Sequence, residues 1–185
     1  SQSTTTPDGF GSSLKMVATT NSGTVGADDL VQLGQLFEGQ DLQGWNKGVA
    51  AARSVTLSFW VNATQTGTYV VNLIDPDNSS RQISKSYTID SADTWEYKTL
   101  TFEGDTDSGF DNDTALSLYV YWGLVAGTNY TSGTLATSWA AYDATHRFVG
   151  QVDAFDNTAN NYHITGVQME LGDTATAFEY ESPAE

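Results

Sequence analysis

The chain has 185 residues, and its 39% hydrophobic and 12% aromatic content is typical of one folded domain rather than a disordered segment. Its 23 acidic and 7 scattered basic residues give a net charge of −16, which argues against nucleic acid as a partner because phosphate backbones require clustered Lys and Arg. Cysteine is absent, which excludes disulfides and thiolate metal sites, and no apolar run approaches the roughly 20 residues of a membrane helix, so we expect no membrane insertion.

Alternation of hydrophobic and polar residues with period two, the pattern of half-buried strands, dominates the chain. The clearest case is 54–61, where hydrophobic odd-numbered residues alternate with Thr56, Ser58 and Trp60. The predicted strands in chain order are 13–18, 30–38, 54–61, 67–74, 81–89, 95–102, 115–122, 162–171 and 177–180. Turns rich in Gly, Asn, Asp and Ser separate them, so we predict an all-β fold, a jelly-roll β-sandwich of about nine strands.

The domain organisation follows from the same pattern. We expect an N-terminal tail at 1–8, a single β-sandwich domain at 9–180 and a C-terminal tail at 181–185. The opening residues show no signal peptide and no initiator Met, which indicates a processed chain or a part of a longer protein. The stretch 123–161 carries few strand signals, and a long excursion of this kind is usually functional or an oligomer contact.

Seven segments carry a resemblance to a known family. They are TPDGFGSSLKM (6–16), LFEGQDLQGW (36–45), SVTLSFWVNATQTGTY (54–69), SSRQISKSYTI (79–89), DTWEYKTLTFEGDT (93–106), NYTSGTL (129–135) and ITGVQMELGDTATAFEY (164–180). These segments resemble domains of structural proteins of marine tailed phages, especially tail-fibre-like proteins. The last segment is the most specific, because such domains often end on a G-x-Q-x-E-x-G-D-T-x-T-x-F-E-like signature, although ESPAE replaces their more basic continuation.

The resemblance implies a fold, a location and partners. The fold would be a jelly roll similar to galactose-binding and carbohydrate-binding modules. The location would be extracellular, on the virion surface, with other virion proteins as partners. Such domains are often part of a trimeric fibre, so the resemblance also implies a homotrimer.

Catalytic signatures are weak. The chain has two histidines, His146 and His163, and lacks the G-x-S-x-G, H-E-x-x-H and P-loop motifs. A Ser–His–Asp triad could be drawn from any sequence this rich in Ser and Asp, so its availability carries no weight. Carboxylate pairs of the glycosidase type stay open, but most acidic residues fall in turns, where solvation explains them. We therefore predict that the protein is not an enzyme.

The acidic loop 103–113 (EGDTDSGFDND) suggests one metal site. Asp105 and Asp107, and again Asp111 and Asp113, place carboxylates at alternate positions in a loop that contains glycine, as Ca²⁺ binding requires. The spacing is not that of an EF-hand, and the alternative is a solvated loop between two strands. We predict that the function requires no cofactor, with a structural calcium as the metal that this loop could hold.

Sugar binding needs aromatic platforms beside planar hydrogen-bonding side chains. Tyr119 and Tyr121 lie on the non-core face of the predicted strand 115–122, and Trp60 would join them if its strand is a neighbour. In the loop 40–48, Trp45 precedes Asn46 among polar residues. The alternative for Trp45 is packing in the core or against a neighbouring chain.

These observations favour a domain of a phage tail fibre or similar appendage that binds a host cell-surface glycan reversibly. Multivalency in a homotrimer would turn weak single sites into firm attachment. One alternative is a structural protein that decorates a capsid or tail without glycan binding. Another is a carbohydrate-binding module of a secreted polysaccharide-degrading enzyme.

Overall fold

A computed structural model describes residues 1–20, 23–77 and 79–180, and ten strands within these ranges form two antiparallel sheets. The strands are β1 (Gln2–Ser3), β2 (Ser13–Val17), β3 (Leu30–Glu38), β4 (Val55–Ala63), β5 (Gly67–Asp75), β6 (Arg81–Ile89), β7 (Glu96–Phe102), β8 (Leu116–Ala126), β9 (Ala140–Ala141) and β10 (Asn161–Leu171). Sheet A has the order β1-β2-β10-β4-β7, and sheet B has the order β3-β8-β5-β6-β9.

The strand order confirms the predicted jelly-roll β-sandwich. Without the two-residue strands β1 and β9, each sheet has four strands, and most connections cross from one sheet to the other. The strands β2–β8 and β10 match eight predicted strands, and β3 and β6 have the predicted bounds. The predicted strand at 177–180 is wrong, because Phe178 and Tyr180 lie in irregular backbone and pack against Phe10, with ring centroids 5.2 and 5.6 Å away.

The N-terminal end of the chain makes contacts of its own. The segment 1–8, predicted to be a tail, contains β1, which pairs with β2 through Gln2 opposite Leu14. The segment 181–185 lies outside the described residues.

The core lies between the two sheets, where the inward faces of the strands meet. Phe59 of β4 is fully buried, and its ring contacts Tyr87 of β6 and Trp122 of β8 edge-on, at centroid distances of 5.2 and 5.9 Å. The hydroxyls of Tyr87 and Tyr162 lie 2.8 Å apart and share one hydrogen bond. Aromatic rings from both sheets therefore hold the sandwich together.

Helices are short in the described ranges. A 3-10 helix spans Gly39–Trp45, α1 spans Thr128–Thr131, and a second 3-10 helix spans Ala144–His146. None of the helices described is long and apolar enough to cross a membrane. The last two lie in the segment 127–160, which we call the excursion and which connects β8 to β10.

His163 is a buried titratable group of sheet A. It lies in β10 with 3% of its surface exposed, and its Nδ1 lies 3.3 Å from Ser13 Oγ. Burial lowers the pKa of His163 below its usual value; the charge of Lys15 adds to this shift, and Asp93 opposes it.

We expect the free energy of unfolding to decrease as the pH falls from about 7 to about 5, and His163→Gln to weaken this dependence. An unfolded histidine titrates at a pH of about 6.5, whereas folded His163 has a lowered pKa, so the unfolded state takes up the proton first. The stability due to neutral His163 is thus present above that pH and is lost below it. Urea unfolding at a series of pH values checks this, with His146→Gln as the control. A slope that persists in His163→Gln and vanishes in His146→Gln would contradict it.

Candidate functional site

The outer face of sheet B carries two neighbouring tyrosines. Tyr119 and Tyr121 project onto this face because Leu118 and Val120, which alternate with them in β8, are buried in the core. The two half-buried rings are nearly parallel, with 16° between their planes and 5.2 Å between their centroids. The period-two pattern predicted this orientation.

The strands on either side of β8 hold the two rings in place. Gly34 of β3 pairs with Tyr121, and a Cβ at Gly34 would lie 2.7 Å from Cε1 of Tyr121. The ring of Tyr121 therefore lies over the backbone of β3, in space that any side chain at Gly34 would occupy. Ile74 of β5 stands opposite Tyr119 on the other side.

The excursion folds over the rest of this face. Phe148 is fully buried against β8, where a Cβ at Gly123 would lie 2.5 Å from its ring. Further along, the backbone N–H of Ser84 donates to Ala136 O at 2.7 Å, and β9 pairs with the start of β6. The excursion is thus fixed to both β8 and β6.

Arg147 joins the excursion to three strands of sheet B. Its Nε donates to Asn72 Oδ1 at 3.0 Å, and its Nη2 donates to Gln32 Oε1 at 2.8 Å. The hydroxyl of Ser84 donates to the carbonyl of Arg147 at 2.9 Å and accepts from Asn72 Nδ2 at 3.0 Å. The guanidinium carbon also lies 5.3 Å from the ring centre of Tyr121, a distance typical of cation–π contacts.

A groove of about 260 Å³ lies between the tyrosines of β8 and the excursion. We call it the tyrosine groove, and its lining consists of Gln32, Ile74, Pro76, Ser80, Tyr119, Tyr121, Tyr142 and Arg147. Tyr142 is 41% exposed, and its backbone N–H donates to Ser80 O at 2.9 Å. Phenol rings, an amide, a hydroxyl and a guanidinium thus share one depression, which is the set of groups that a saccharide requires.

Electrostatics single out Arg147 within the groove. It is the one charged residue among those that line it, and only 5% of its surface is exposed. Burial lowers the pKa of Arg147, and the hydroxyls of Tyr142 and Tyr121 oppose this shift. Because a guanidinium titrates far above neutral pH, Arg147 keeps its charge.

Trp60 lies far from the tyrosine groove in the fold. Its strand β4 belongs to sheet A, so the expectation that Trp60 joins Tyr119 and Tyr121 is wrong. It stands opposite Tyr97 of β7, and the two ring centroids are 5.3 Å apart. The alternation in the sequence predicts which face a residue occupies, but not which strands become neighbours.

Trp45 and Asn46 lie at one end of the sandwich. Trp45 ends the first 3-10 helix, is 8% exposed, and contacts Phe110 edge-on at a centroid distance of 5.5 Å. This placement is the core role that was the alternative for Trp45, and it leaves little ring surface for a sugar. Asn46 is exposed and takes the left-handed conformation that follows the helix, with φ of 50°.

The predicted calcium ligands of the acidic loop have protein partners. Asp105 is buried and receives two hydrogen bonds from Arg81, at 2.5 and 3.0 Å, while its Oδ2 lies 3.1 Å from Lys47 Nζ. Asp107 pairs with Arg81 at 3.1 Å. Arg81 and Lys47 thus lie beside these carboxylates and compensate their charge.

The other two predicted ligands serve the turn before β8. Asp113 Oδ1 accepts from the backbone N–H of Ala115 at 2.9 Å, and the backbone N–H of Asp111 donates to Asp77 at 3.2 Å. Within 1–20, 23–77 and 79–180, no group of three or more His, Asp or Glu side chains is arranged to hold a metal ion.

The strand pattern does not predict Gln32 and Arg147 as site residues. Gln32 and Arg147 lie 115 positions apart in the sequence and meet only because the excursion folds back over sheet B. The available signal was a single Arg near aromatic residues in a long segment with few strand signals.

A second, larger cavity of about 500 Å³ lies at the open side of the sandwich, between β3 and β10. Its lining includes Leu14 and Val167, which are 40% and 43% exposed, and it is mostly apolar. β3 is an edge strand of sheet B in the described part of the chain. Apolar surface beside an open edge is typical of a contact with another chain.

Comparisons with known proteins give remote similarities. No family model matches the chain, and no curated protein matches it. A solved carbohydrate-binding module, CBM4, is similar with a TM-score of 0.40 and 11% identity, over 76% of this chain and 60% of that chain. A family 16 carbohydrate-binding module-2 has a TM-score of 0.38 and 12% identity, over 88% of this chain and 78% of that chain.

A third similar structure is the tripod (BppUct-A-L) from the baseplate of bacteriophage Tuc2009, with a TM-score of 0.33 and 17% identity. It is matched over 69% of this chain and 38% of its own, and the chain spans about three fifths of the CBM4 chain. At these TM-scores the class of the protein rests on its own strand order and groove. It is a jelly-roll β-sandwich with an aromatic groove on the outer face of sheet B.

Proposed function

We propose that this chain is a non-enzymatic domain of a phage virion surface, in a tail fibre or similar appendage, that binds a host cell-surface glycan in the tyrosine groove. The convergence of Tyr119, Tyr121, Tyr142 and Arg147 in one groove is the observation that carries the proposal. The phage assignment is supported by the sequence segments that resemble tail-fibre-like domains. A surface location suits a domain that must meet a receptor.

Binding in this proposal is reversible and uses two kinds of contact. The apolar C–H face of a sugar ring packs on a phenol ring, while Gln32 and Ser80 offer hydrogen-bonding groups for its hydroxyls. The groove is smaller than pockets for drug-sized ligands, which are about 300–1,000 Å³, so it suits one sugar residue of a longer chain. No cofactor enters the mechanism.

Oligomerisation is part of the same proposal. One small groove gives weak binding. Several grooves in a homotrimer would raise the avidity, because the first contact gives the others a high effective concentration of ligand. The apolar cavity between β3 and β10 is the surface where copies, or other virion proteins, would meet. The same surface favours the second candidate function, a structural decoration protein that assembles through this cavity and binds no glycan.

The test is a binding screen of the purified chain against bacterial surface polysaccharides, followed by calorimetry with Tyr121→Ala. We expect this variant to lose about tenfold or more in affinity, because it removes a ring that lines the groove. Tyr97→Ala is the matched control, since Tyr97 is a 42% exposed tyrosine of sheet A. A chelator should leave binding unchanged, because the mechanism uses no metal.

Gly34→Ala makes the test sharper. It removes no groove atom but adds a methyl group where the ring of Tyr121 lies, so it should weaken binding in the same direction. If no polysaccharide binds to any oligomer of the chain, the glycan proposal fails and the structural function is favoured. If Tyr97→Ala abolishes binding while Tyr121→Ala does not, the site lies on sheet A instead.

A further inference from the structure

The guanidinium of Arg147 is a buried charge with neutral partners. It donates hydrogen bonds to the amide oxygens of Asn72 and Gln32, and the side chain of Tyr142 is also within hydrogen-bonding reach. None of the ion pairs formed by the described residues involves Arg147. Lys47 is also a buried cation, but it differs from Arg147 because its ammonium group contacts the carboxylates of Asp75 and Asp105.

Such a charge is costly unless something compensates for it. Burying a cation without an anion costs free energy, and cation–π contacts recover a part of that cost. The ring centres of Phe148 and Tyr130 lie 4.8 and 5.8 Å from the guanidinium carbon, in addition to that of Tyr121. A neutral amide would satisfy Asn72 and Gln32 equally well, so the hydrogen bonds alone do not explain the charge.

The guanidinium of Arg147 also borders the tyrosine groove. A guanidinium has N–H groups on three nitrogens, and Nε and Nη2 serve the hydrogen bonds to sheet B. Arg147 lines the groove beside Tyr142, whose side chain is within hydrogen-bonding reach of the guanidinium, so a ligand there can accept from the same guanidinium. No acidic residue lines the groove, so Arg147 is the one charged group of its lining that an anion there would meet.

We infer that the tyrosine groove selects a saccharide that carries an anionic group, a carboxylate as in a uronic acid or a sulfate ester, and that Arg147 binds this group. The inference rests on the proposed glycan-binding function and names its ligand class. The anion completes the contacts of Arg147, while the sugar ring packs on the tyrosines. The net charge of −16 does not prevent this, because salt screens charges beyond about 8 Å at physiological ionic strength whereas a groove contact is direct.

The experiment compares ligands on the intact 185-residue chain. The probes are an oligouronate, the same oligosaccharide with its carboxylates reduced to alcohols, and a sulfated oligosaccharide of matched length. We expect the oligouronate or the sulfated probe to bind about tenfold or more tightly than the neutral probe, since a charge-assisted hydrogen bond is stronger than a neutral one. Which anionic probe wins identifies the group.

Variants assign the preference to Arg147. Arg147→Gln should abolish the preference for the anionic probe, and Lys15→Gln, which removes a charge from sheet A, should keep it. Equal binding of anionic and neutral probes by the natural chain overturns the inference but leaves the glycan function in place. Binding of neither kind overturns both. If Arg147→Gln does not fold, the ligand comparison on the natural chain still decides.

Discussion

Replacing Lys47 by Met is expected to lower the free energy of unfolding by about 3–5 kcal/mol, the usual result of removing one partner from a buried ion pair. Lys47 Nζ lies 2.5 Å from Asp75 Oδ2 and 3.1 Å from Asp105 Oδ2, and the side chains of both acids are almost fully buried. Met has a similar length and keeps the packing against Phe110 and Trp139, whose ring centres lie 5.1 and 5.0 Å from Nζ. The decrease in the free energy of unfolding therefore measures the effect of removing the positive charge of Lys47.

The pH dependence of this loss identifies its cause. Burial raises the pKa of Asp75, although its hydrogen bond from Lys47 opposes the shift. A group with a raised pKa in the folded state contributes stability that is lost as the pH rises through that pKa. Without Lys47 the pKa of Asp75 rises further, so the deficit of Lys47→Met is largest at neutral pH and shrinks when acid protonates Asp75.

Asp105 behaves in the opposite way. Burial alone would raise its pKa, but hydrogen bonds, first of all from Arg81, outweigh burial and hold the pKa of Asp105 below its usual value. Its contribution to stability is present above the unfolded pKa and is lost as the pH falls through the folded one. Arg81 stays in Lys47→Met, so Asp105 keeps its ion pair with Arg81 and Asp75 loses its ion pair with Lys47.

Urea unfolding of Lys47→Met at several pH values makes the measurement, with Lys85→Met as the matched control. Lys85 pairs with Glu103 at 2.9 Å, and both side chains are partly exposed, so its loss should cost about 1 kcal/mol or less. Adding Asp75→Asn to Lys47→Met should recover part of the stability. Equal losses in the two lysine variants, or a deficit that does not change with pH, would contradict the assignment.

The strands follow closely from the sequence because alternation is a local property. The segment 81–89 alternates without interruption, and β6 has these bounds. β8 extends beyond the predicted strand 115–122. Gly123 was expected to end the strand, but it continues the strand and leaves room for the ring of Phe148. The segment 177–180 alternates too, but its aromatic rings pack against Phe10 and the segment does not pair with a neighbouring strand.

The candidate site was predictable only in part, because it depends on contacts between distant segments. Alternation placed Tyr119 and Tyr121 on the outer face, and the structure agrees. It could not tell that Trp60 belongs to the other sheet, since both strands alternate in the same way. Arg147 reaches the groove through hydrogen bonds to residues more than 70 positions away, which no local pattern encodes.

Replacing Phe148 by Ala is expected to cost about 3–5 kcal/mol and to abolish glycan binding. Phe148 is fully buried between the excursion and β8, and its backbone N–H donates to Tyr130 O at 3.0 Å. It directly follows Arg147, whose guanidinium carbon lies 4.8 Å from its ring centre. A cavity at this point removes the packing that presses the excursion onto sheet B, so Arg147 and Tyr142 would lose their positions in the groove.

Urea unfolding and calorimetric binding, both under conditions where the variant is folded, test this expectation. Phe178→Ala is the control, because Phe178 is half-buried near the end of the described chain and should cost clearly less. Gly123→Ala complements it: the added methyl would lie 2.2 Å from Gln151 Oε1 and 2.5 Å from the ring of Phe148, so it displaces these two side chains of the excursion without deleting an atom. If both Gly123→Ala and Phe148→Ala bind glycan as the natural chain does, the excursion does not form the site. If both lose binding while hydrogen exchange rises mainly within 127–160, the excursion opens as a local unit and sheet B alone is insufficient for binding.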